Sequence, residues 1–129
     1  MIPVTTPAAT GPFPPDDPTL PTARECLLCY VARMLEDHGC DTSLRWSLRF
    51  RDARSPTATG LARRLGGMGG FCDCELLLNA YRLARHLCVR DLATDELEAP
   101  AEQPDCAGVR RTSTHPCANW ERQRGLAGR

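Results

Sequence analysis

The 129-residue chain has no lysine and few aromatic residues: all 16 of its basic residues are arginine, and aromatics make up 5%. No apolar run comes near the roughly 20 residues that a bilayer-spanning helix needs, which excludes a membrane protein. Residues 1–20 lack the basic and apolar regions of a secretory signal, which predicts a cytoplasmic protein. The 16 acidic residues balance the arginines, so no overall positive charge recruits nucleic acid.

Signatures of the common catalytic classes are absent as well. The sequence holds no nucleophile elbow, Walker loop, zinc-protease motif or kinase signature. The arginines within residues 45–64 are interpreted as a solvated face, because no recognised DNA- or RNA-binding motif accompanies them. These absences favour a binding module over an enzyme, and a protein partner over a nucleic acid.

What the chain does contain divides it into four parts. Residues 1–21 hold most of the 11 prolines, which predicts a disordered leader. Residues 22–90 carry helical patterns, residues 91–105 are acidic and predict a solvated linker, and residues 106–129 form a tail rich in arginine and cysteine. The tail is expected to fold back on the helical domain, whose small core calls for cross-links.

Apolar spacing predicts an all-α fold, a small bundle of about four helices. The first helix is placed at 23–38, where a capping box precedes it and Gly39 ends it. The second helix ends before Pro56, the third runs over about 57–64, and the fourth over about 75–88.

Cysteines are the strongest chemical signal, and helix length sorts them into two sets. A rise of about 1.5 Å per residue places Cys40 roughly 16–21 Å from Cys26 and Cys29 along the first helix, too far to share one ion. One set is therefore Cys40 with Cys72 and Cys74, at the junctions of loops and helices.

Three thiols at two such junctions suit Zn²⁺, which needs a fourth ligand to close a tetrahedral site. His38 is the preferred fourth ligand, and Asp41 and Asp73 are alternatives within reach. The simpler alternative is that Cys72 and Cys74 are small buried side chains near a turn.

Cys26 and Cys29 are predicted to meet Cys106 and Cys117 from the tail. A C-x₂-C pair with a distant second pair is typical of structural zinc sites. Cys88 is a competing ligand, since an antiparallel fourth helix brings it back towards the first. A buried apolar pair and a disulfide between the tail cysteines are the alternatives, the latter disfavoured in the cytoplasm. The chain is thus predicted to bind one or two Zn²⁺.

Two segments resemble a known family. Residues 39–45 (GCDTSLR) and 69–79 (GGFCDCELLLN) resemble the two signature blocks of domain of unknown function family 2695, a small bacterial family without an assigned activity. The resemblance covers about residues 25–90. Where the family pattern has a histidine, this chain has Thr42, so the resemblance implies that His38 replaces it or that three sulfurs hold the ion with a water.

Two functions follow from these patterns. The first is a small cytoplasmic zinc-binding helical module that acts through a protein partner. The alternative is a thiol- or metal-dependent enzyme, or a metal-handling protein, that uses Cys40, Cys72 and Cys74 at an open metal or redox site.

Overall fold

The computed structural model describes residues 17–123, in which helices and two small antiparallel sheets surround one core. The helices are α1 (Leu27–His38), α2 (Arg45–Arg54), α3 (Leu61–Gly67) and the single turn α4 (Asp73–Glu75), which continues as a π-helical segment, Leu76–Ala80. The strands are β1 (Tyr81–Leu83), β2 (Val89–Asp91), β3 (Glu96–Glu98) and β4 (Trp120–Arg122), with a 3₁₀ turn at Arg85–Leu87. Within this part of the chain, every helix is too short or too polar to cross a bilayer.

Three aromatic rings occupy the centre of the core. Tyr30 of α1 lies edge-on to Trp46 and tilted against Phe50 of α2, with ring centroids 6.4 and 5.8 Å apart. Burying each aliphatic side chain around the rings contributes about 1.5–3 kcal/mol. These side chains come from α1, α3 and the π-helical segment and are at most 2% exposed: Leu27, Leu28, Val31, Met34, Leu61, Leu65 and Leu76.

Helix α1 begins later than the capping pattern predicts. The backbone N–H of Thr22 bonds to the Glu25 carboxylate at 3.1 Å, as in a capping box. The residue that caps the helix is nevertheless Cys26, whose Sγ accepts the N–H of Cys29. The helix ends at Gly39, as expected, with a φ of 80° that glycine adopts at little cost.

The prediction of an all-α protein is wrong, because the fourth helix ends at Ala80 and strand β1 follows it. Strand β1 pairs with β4 of the tail. The Gln123 side chain donates to the carbonyls of Leu77 and Tyr81 at 3.1 and 2.9 Å, and its backbone N–H donates to Ala80 at 2.9 Å. The tail therefore supplies hydrogen bonds that would otherwise come from further helical turns, and it overrides the local apolar spacing.

A second departure from the all-α prediction is a hairpin that extends into the predicted acidic linker. Strand β2 pairs with β3 so that Val89 lies opposite Glu98 and Asp91 opposite Glu96. Asp95 adopts a φ of 62° in the turn and bonds to Arg90 at 2.6 Å. Residues 96–98 therefore form a strand.

The end of the predicted leader contacts the helices. The Tyr30 hydroxyl donates to the Thr19 carbonyl at 2.6 Å, and Arg49 bonds to the Asp17 carboxylate at 2.9 Å. Residues 17–21 therefore lie against α1 and α2. The rest of the predicted leader, residues 1–16, and the tail residues 124–129 lie outside the described residues.

Candidate metal centre

Four cysteines converge at the start of α1. The sulfur atoms of Cys26, Cys29, Cys106 and Cys117 all lie within 4.8 Å of one another, and we call this group the four-cysteine centre. Among residues 17–123, it is the one group of three or more Cys, His, Asp or Glu side chains whose ligand atoms converge in this way. Cys26, Cys29 and Cys117 are at most 4% exposed, and Cys106 is partly exposed.

Local structure places each half of the centre. Cys26 and Cys29 are three residues apart in the first turn of α1, where that spacing puts two side chains on one face. The tail loop between Cys106 and Cys117 is closed by the Asn119 side chain, which donates to the Asp105 carbonyl at 2.8 Å.

Backbone N–H groups point at the sulfurs. Cys106 Sγ accepts from the N–H of Cys26 at 3.2 Å and of Gly108 at 3.3 Å, while Cys26 Sγ accepts from Cys29 at 3.3 Å. Gly108 reaches this geometry with a φ of 94°, in the region that favours glycine. Such donors favour thiolate over thiol, and thiolate is the form that binds metals.

The protein alone does not ionise all four thiols equally. The hydrogen bond with the Cys29 thiol lowers the pKa of Cys26 to about 5, against the effect of burial. The same hydrogen bond, together with burial, raises the pKa of Cys29. Burial also raises the pKa of Cys106. A bound cation favours the thiolate form of such ligands, so its binding is expected to release protons.

The donor set fits a zinc ion. A tetrahedral Zn²⁺ with bonds of about 2.3 Å requires sulfurs about 3.8 Å apart, and the sulfurs of Cys29 and Cys117 are 3.8 Å apart. Four sulfurs leave no open position, which is typical of structural rather than catalytic zinc. Trp120 closes the outer side, with its Nε1–H donating to Cys29 Sγ at 3.3 Å.

The other predicted set, Cys40, Cys72 and Cys74, forms a looser three-cysteine cluster. All three thiols are partly exposed, and their sulfur atoms do not all lie within 4.8 Å of one another, as those of the centre do. Thr42 donates its backbone N–H to Cys40 Sγ at 3.4 Å. Burial acts to raise the pKa of Cys40, but hydrogen bonds from the Cys74 and Thr42 backbone outweigh it and lower that pKa. The hydrogen bond with Cys40, together with burial, raises the pKa of Cys74 to about 11.

Asp73, one of the alternative ligands, has a different role. Its buried carboxylate accepts the backbone N–H of Trp46 and Ser47 at 2.8 and 3.1 Å, and the Ser47 hydroxyl at 2.7 Å. Asp73 therefore satisfies donors at the start of α2. Burial raises the pKa of Asp73 in spite of these bonds. This contact holds the loop of Cys72 and Cys74 against the start of α2.

Within residues 17–123, none of the remaining candidate ligands joins a converging group with either set of cysteines. His38, the preferred fourth ligand of the Cys40 set, is exposed and lies tilted against the Trp46 ring, with centroids 5.2 Å apart. Asp41 is exposed in the loop before α2. The Cys88 sulfur lies 3.6 Å from the Ala84 carbonyl.

Arg54 was predicted to lie on a solvated basic face, but it is a buried residue beside the centre. Arg54 is 4% exposed. Its guanidinium donates to backbone carbonyls of the segment before α1 and of the tail. Its position four residues after the core residue Phe50 places it on the buried face of α2, which is the signal that was available.

The described residues thus define a small mixed α/β unit with one buried and one partly exposed cluster of cysteines. Residues 27–79 match the family described as "Protein of unknown function (DUF2695)". The resemblance found in the sequence is thereby confirmed.

Curated relatives come from mycobacteria. Over 55 residues the chain is 36% identical to "Uncharacterized protein Mb2294" of Mycobacterium bovis and to "Uncharacterized protein Rv2271" of Mycobacterium tuberculosis. The alignment covers 43% of this chain and 56% of each relative, so the chain spans about half the length of the relatives it matches. No solved structure matches.

The family segment divides the two clusters unequally. It contains all of the three-cysteine cluster, but Cys29 alone of the four-cysteine centre. Cys26 lies just before the matched residues, and Cys106 and Cys117 lie well after them.

Proposed function

We propose that the protein is a small zinc-binding module in which Cys26, Cys29, Cys106 and Cys117 hold one structural Zn²⁺. The convergence of these four sulfurs within 4.8 Å carries the proposal. The N–H groups directed at Cys26 and Cys106 support it, because they favour the thiolate ligands that zinc requires. In this function the ion fastens the tail to the start of α1.

The proposed module works in the cytoplasm and acts through a protein partner. A reducing compartment keeps eight thiols available for metal rather than for disulfides, and all eight are free in the structure. Large apolar side chains that remain on the surface support a partner: Phe71 is 70% exposed, Leu78 69% and Leu92 91%. Exposed apolar side chains mark interaction sites where they form a continuous patch.

Metal analysis of the full chain, purified under reducing conditions, tests the zinc site. We expect bound zinc, and we expect Co²⁺ substitution to give the absorption of a tetrahedral thiolate site. Cys117→Ser should remove one equivalent, because three sulfurs no longer close the site. Cys88→Ser is the matched control and should keep it. A wild-type chain without zinc, or a Cys117→Ser variant with all of its zinc, would contradict the proposal.

A second candidate function is metal handling or thiol chemistry at the three-cysteine cluster. The observation that favours it is that the Asp73 N–H donates to the Ser43 carbonyl at 3.0 Å, which brings Cys72 and Cys74 towards the loop that follows Cys40, with all three thiols partly exposed. Three sulfurs leave a fourth coordination position open, which is typical of sites that exchange ligands.

Stoichiometry and thiol reactivity test this second candidate. We expect a second zinc that a chelator removes faster than the first, and Cys40→Ser should abolish that fast phase. If the wild type carries one zinc and Cys40→Ser leaves its reaction with a disulfide reagent unchanged, this candidate is wrong.

A further inference from the structure

Arg54 is a buried cation whose described hydrogen bonds all go to main-chain carbonyls. Its Nη1 donates to Thr22 at 2.7 Å and to Glu25 at 2.9 Å, on the chain leading into α1. Its Nη2 donates to Arg110 at 3.2 Å, and its Nε donates to Arg111, both in the tail. One guanidinium therefore ties together the two chain segments that carry Cys26 and Cys106.

The bond to Glu25 also sets the direction of a sulfur ligand's donor. The Glu25 carbonyl and the Cys26 N–H belong to one planar peptide and point in opposite directions. Fixing the carbonyl on Arg54 therefore aims the N–H of Cys26, which donates to Cys106 Sγ at 3.2 Å. A cation on the carbonyl polarises the peptide and strengthens that N–H as a donor.

The charge of Arg54 matches what the four-cysteine centre needs. Four thiolates around a Zn²⁺ leave a net charge of about −2, which is costly to bury without a compensating cation. Burial and the charge of Arg111 lower the pKa of Arg54, and negative charge on Glu25, Cys106 and Cys26 acts in the opposite direction. Arg54 binds the carbonyl of Glu25, the residue before Cys26, so its charge lies beside the centre.

We propose that Arg54 is the positioning residue of the four-cysteine centre, orienting the Cys26 peptide towards Cys106 and compensating the charge of the thiolates. The charge compensation rests on the zinc function proposed above, because the four thiolates form with the bound ion. The orientation of the Cys26 peptide is a property of the protein with or without metal.

A general role in docking the tail is the competing explanation, and Arg64 provides the control. Arg64 also joins a helix to the tail, donating to the hydroxyl and the carbonyl of Thr114 at 3.0 and 2.7 Å. Arg64 makes no described hydrogen bond to Cys26, to Cys106 or to the residues next to them. Arg64→Met therefore weakens tail docking without disturbing the Cys26 peptide.

The experiment compares the full chain with Arg54→Met, Arg54→Lys and Arg64→Met. Zinc affinity is measured by competition with a chelator, and amide hydrogen exchange at Cys26 is measured with zinc and without it. We expect Arg54→Met to weaken zinc binding about 10–100-fold, as is usual for partners that orient metal ligands, and to speed exchange at Cys26 in both states. Arg54→Lys should fall between it and the wild type, and Arg64→Met should keep wild-type exchange at Cys26.

The outcomes separate this inference from the zinc proposal. If the wild type binds no zinc but Arg54→Met still exposes the Cys26 amide, the zinc function fails and the positioning role stands. If Arg54→Met keeps wild-type affinity and exchange, or if Arg64→Met loses as much, the inference is overturned. Should Arg54→Met not fold, Arg54→Lys decides, because it keeps the charge but cannot reach all four carbonyls: wild-type exchange at Cys26 in that variant overturns the inference.

Discussion

The four-cysteine centre and the three-cysteine cluster differ in what brings their thiols together. The centre joins residues 80 and 88 positions apart, and most of its sulfur is buried. The cluster lies entirely within the family segment, between two loops that Asp73 holds together, and it remains partly exposed. Burial and long sequence separation suit a permanent structural ion, whereas local, accessible thiols suit exchange with the surroundings.

Removing the metal should give the largest effect, because the four-cysteine centre then loses its structural role. Structural zinc contributes on the order of 10 kcal/mol to folding in small domains. A chelator should therefore detach the tail, abolish the pairing of β1 with β4 and lower the melting temperature, measured by circular dichroism. Cys40→Ser, with an intact centre, should respond as the wild type does. An unchanged melting temperature in the presence of the chelator would show that the metal does not stabilise the fold.

Asp73→Ala should act on the three-cysteine cluster and spare the four-cysteine centre. The change leaves donors at the start of α2 unpaired, and bonds to charged groups contribute about 1.5–3 kcal/mol each. We expect a loss of about 3 kcal/mol in urea unfolding, with faster alkylation of Cys72 and Cys74. Asp52→Ala, at an exposed position of α2, is the control. Loss of zinc from the four-cysteine centre would show that the two sites are coupled.

Trp120→Phe should act on the four-cysteine centre and spare the three-cysteine cluster. It removes the N–H that bonds to Cys29 Sγ while keeping an aromatic ring in the tail. We expect a loss of about 1 kcal/mol in urea unfolding and a shift in the Co²⁺ absorption bands. The reactivity of Cys40 should not change, and a change there would contradict the separation of the two sites.

Asp17→Ala gives the baseline, since the described contacts of Asp17 are with Thr19 and Arg49 rather than with a cysteine. The ion pair is partly exposed, so its loss should cost about 0.5–1 kcal/mol. Zinc content and thiol reactivity should stay at wild-type values. An unchanged free energy of unfolding would show that the contacts of Asp17 do not contribute to stability.

The features that depend on residues close in sequence could be predicted. The end of α1 at Gly39 follows from the freedom of glycine at positive φ. The separation of Cys40 from Cys26 follows from the rise of an α-helix.

The missed features depend on distant residues. Strand β1 forms because it pairs with β4 and bonds to Gln123, and the residues near Tyr81 contain no pattern that predicts these distant partners. Asp73 looked like a ligand because its role depends on where α2 begins. Arg54 looked solvated because arginine usually is, and its carbonyl partners lie up to 57 positions away.

The separation of Cys29 and Cys117 by 88 positions also affects when the centre can form during synthesis. A ribosome adds about 5–20 residues per second, so the two thiols are made roughly 4–18 s apart. The start of α1 is thus synthesised early, yet it acquires its sulfur partners only when the tail emerges. Closing so long a loop is slow compared with forming a helix. We therefore expect refolding to show a late, zinc-dependent phase in which the tail docks on the start of α1.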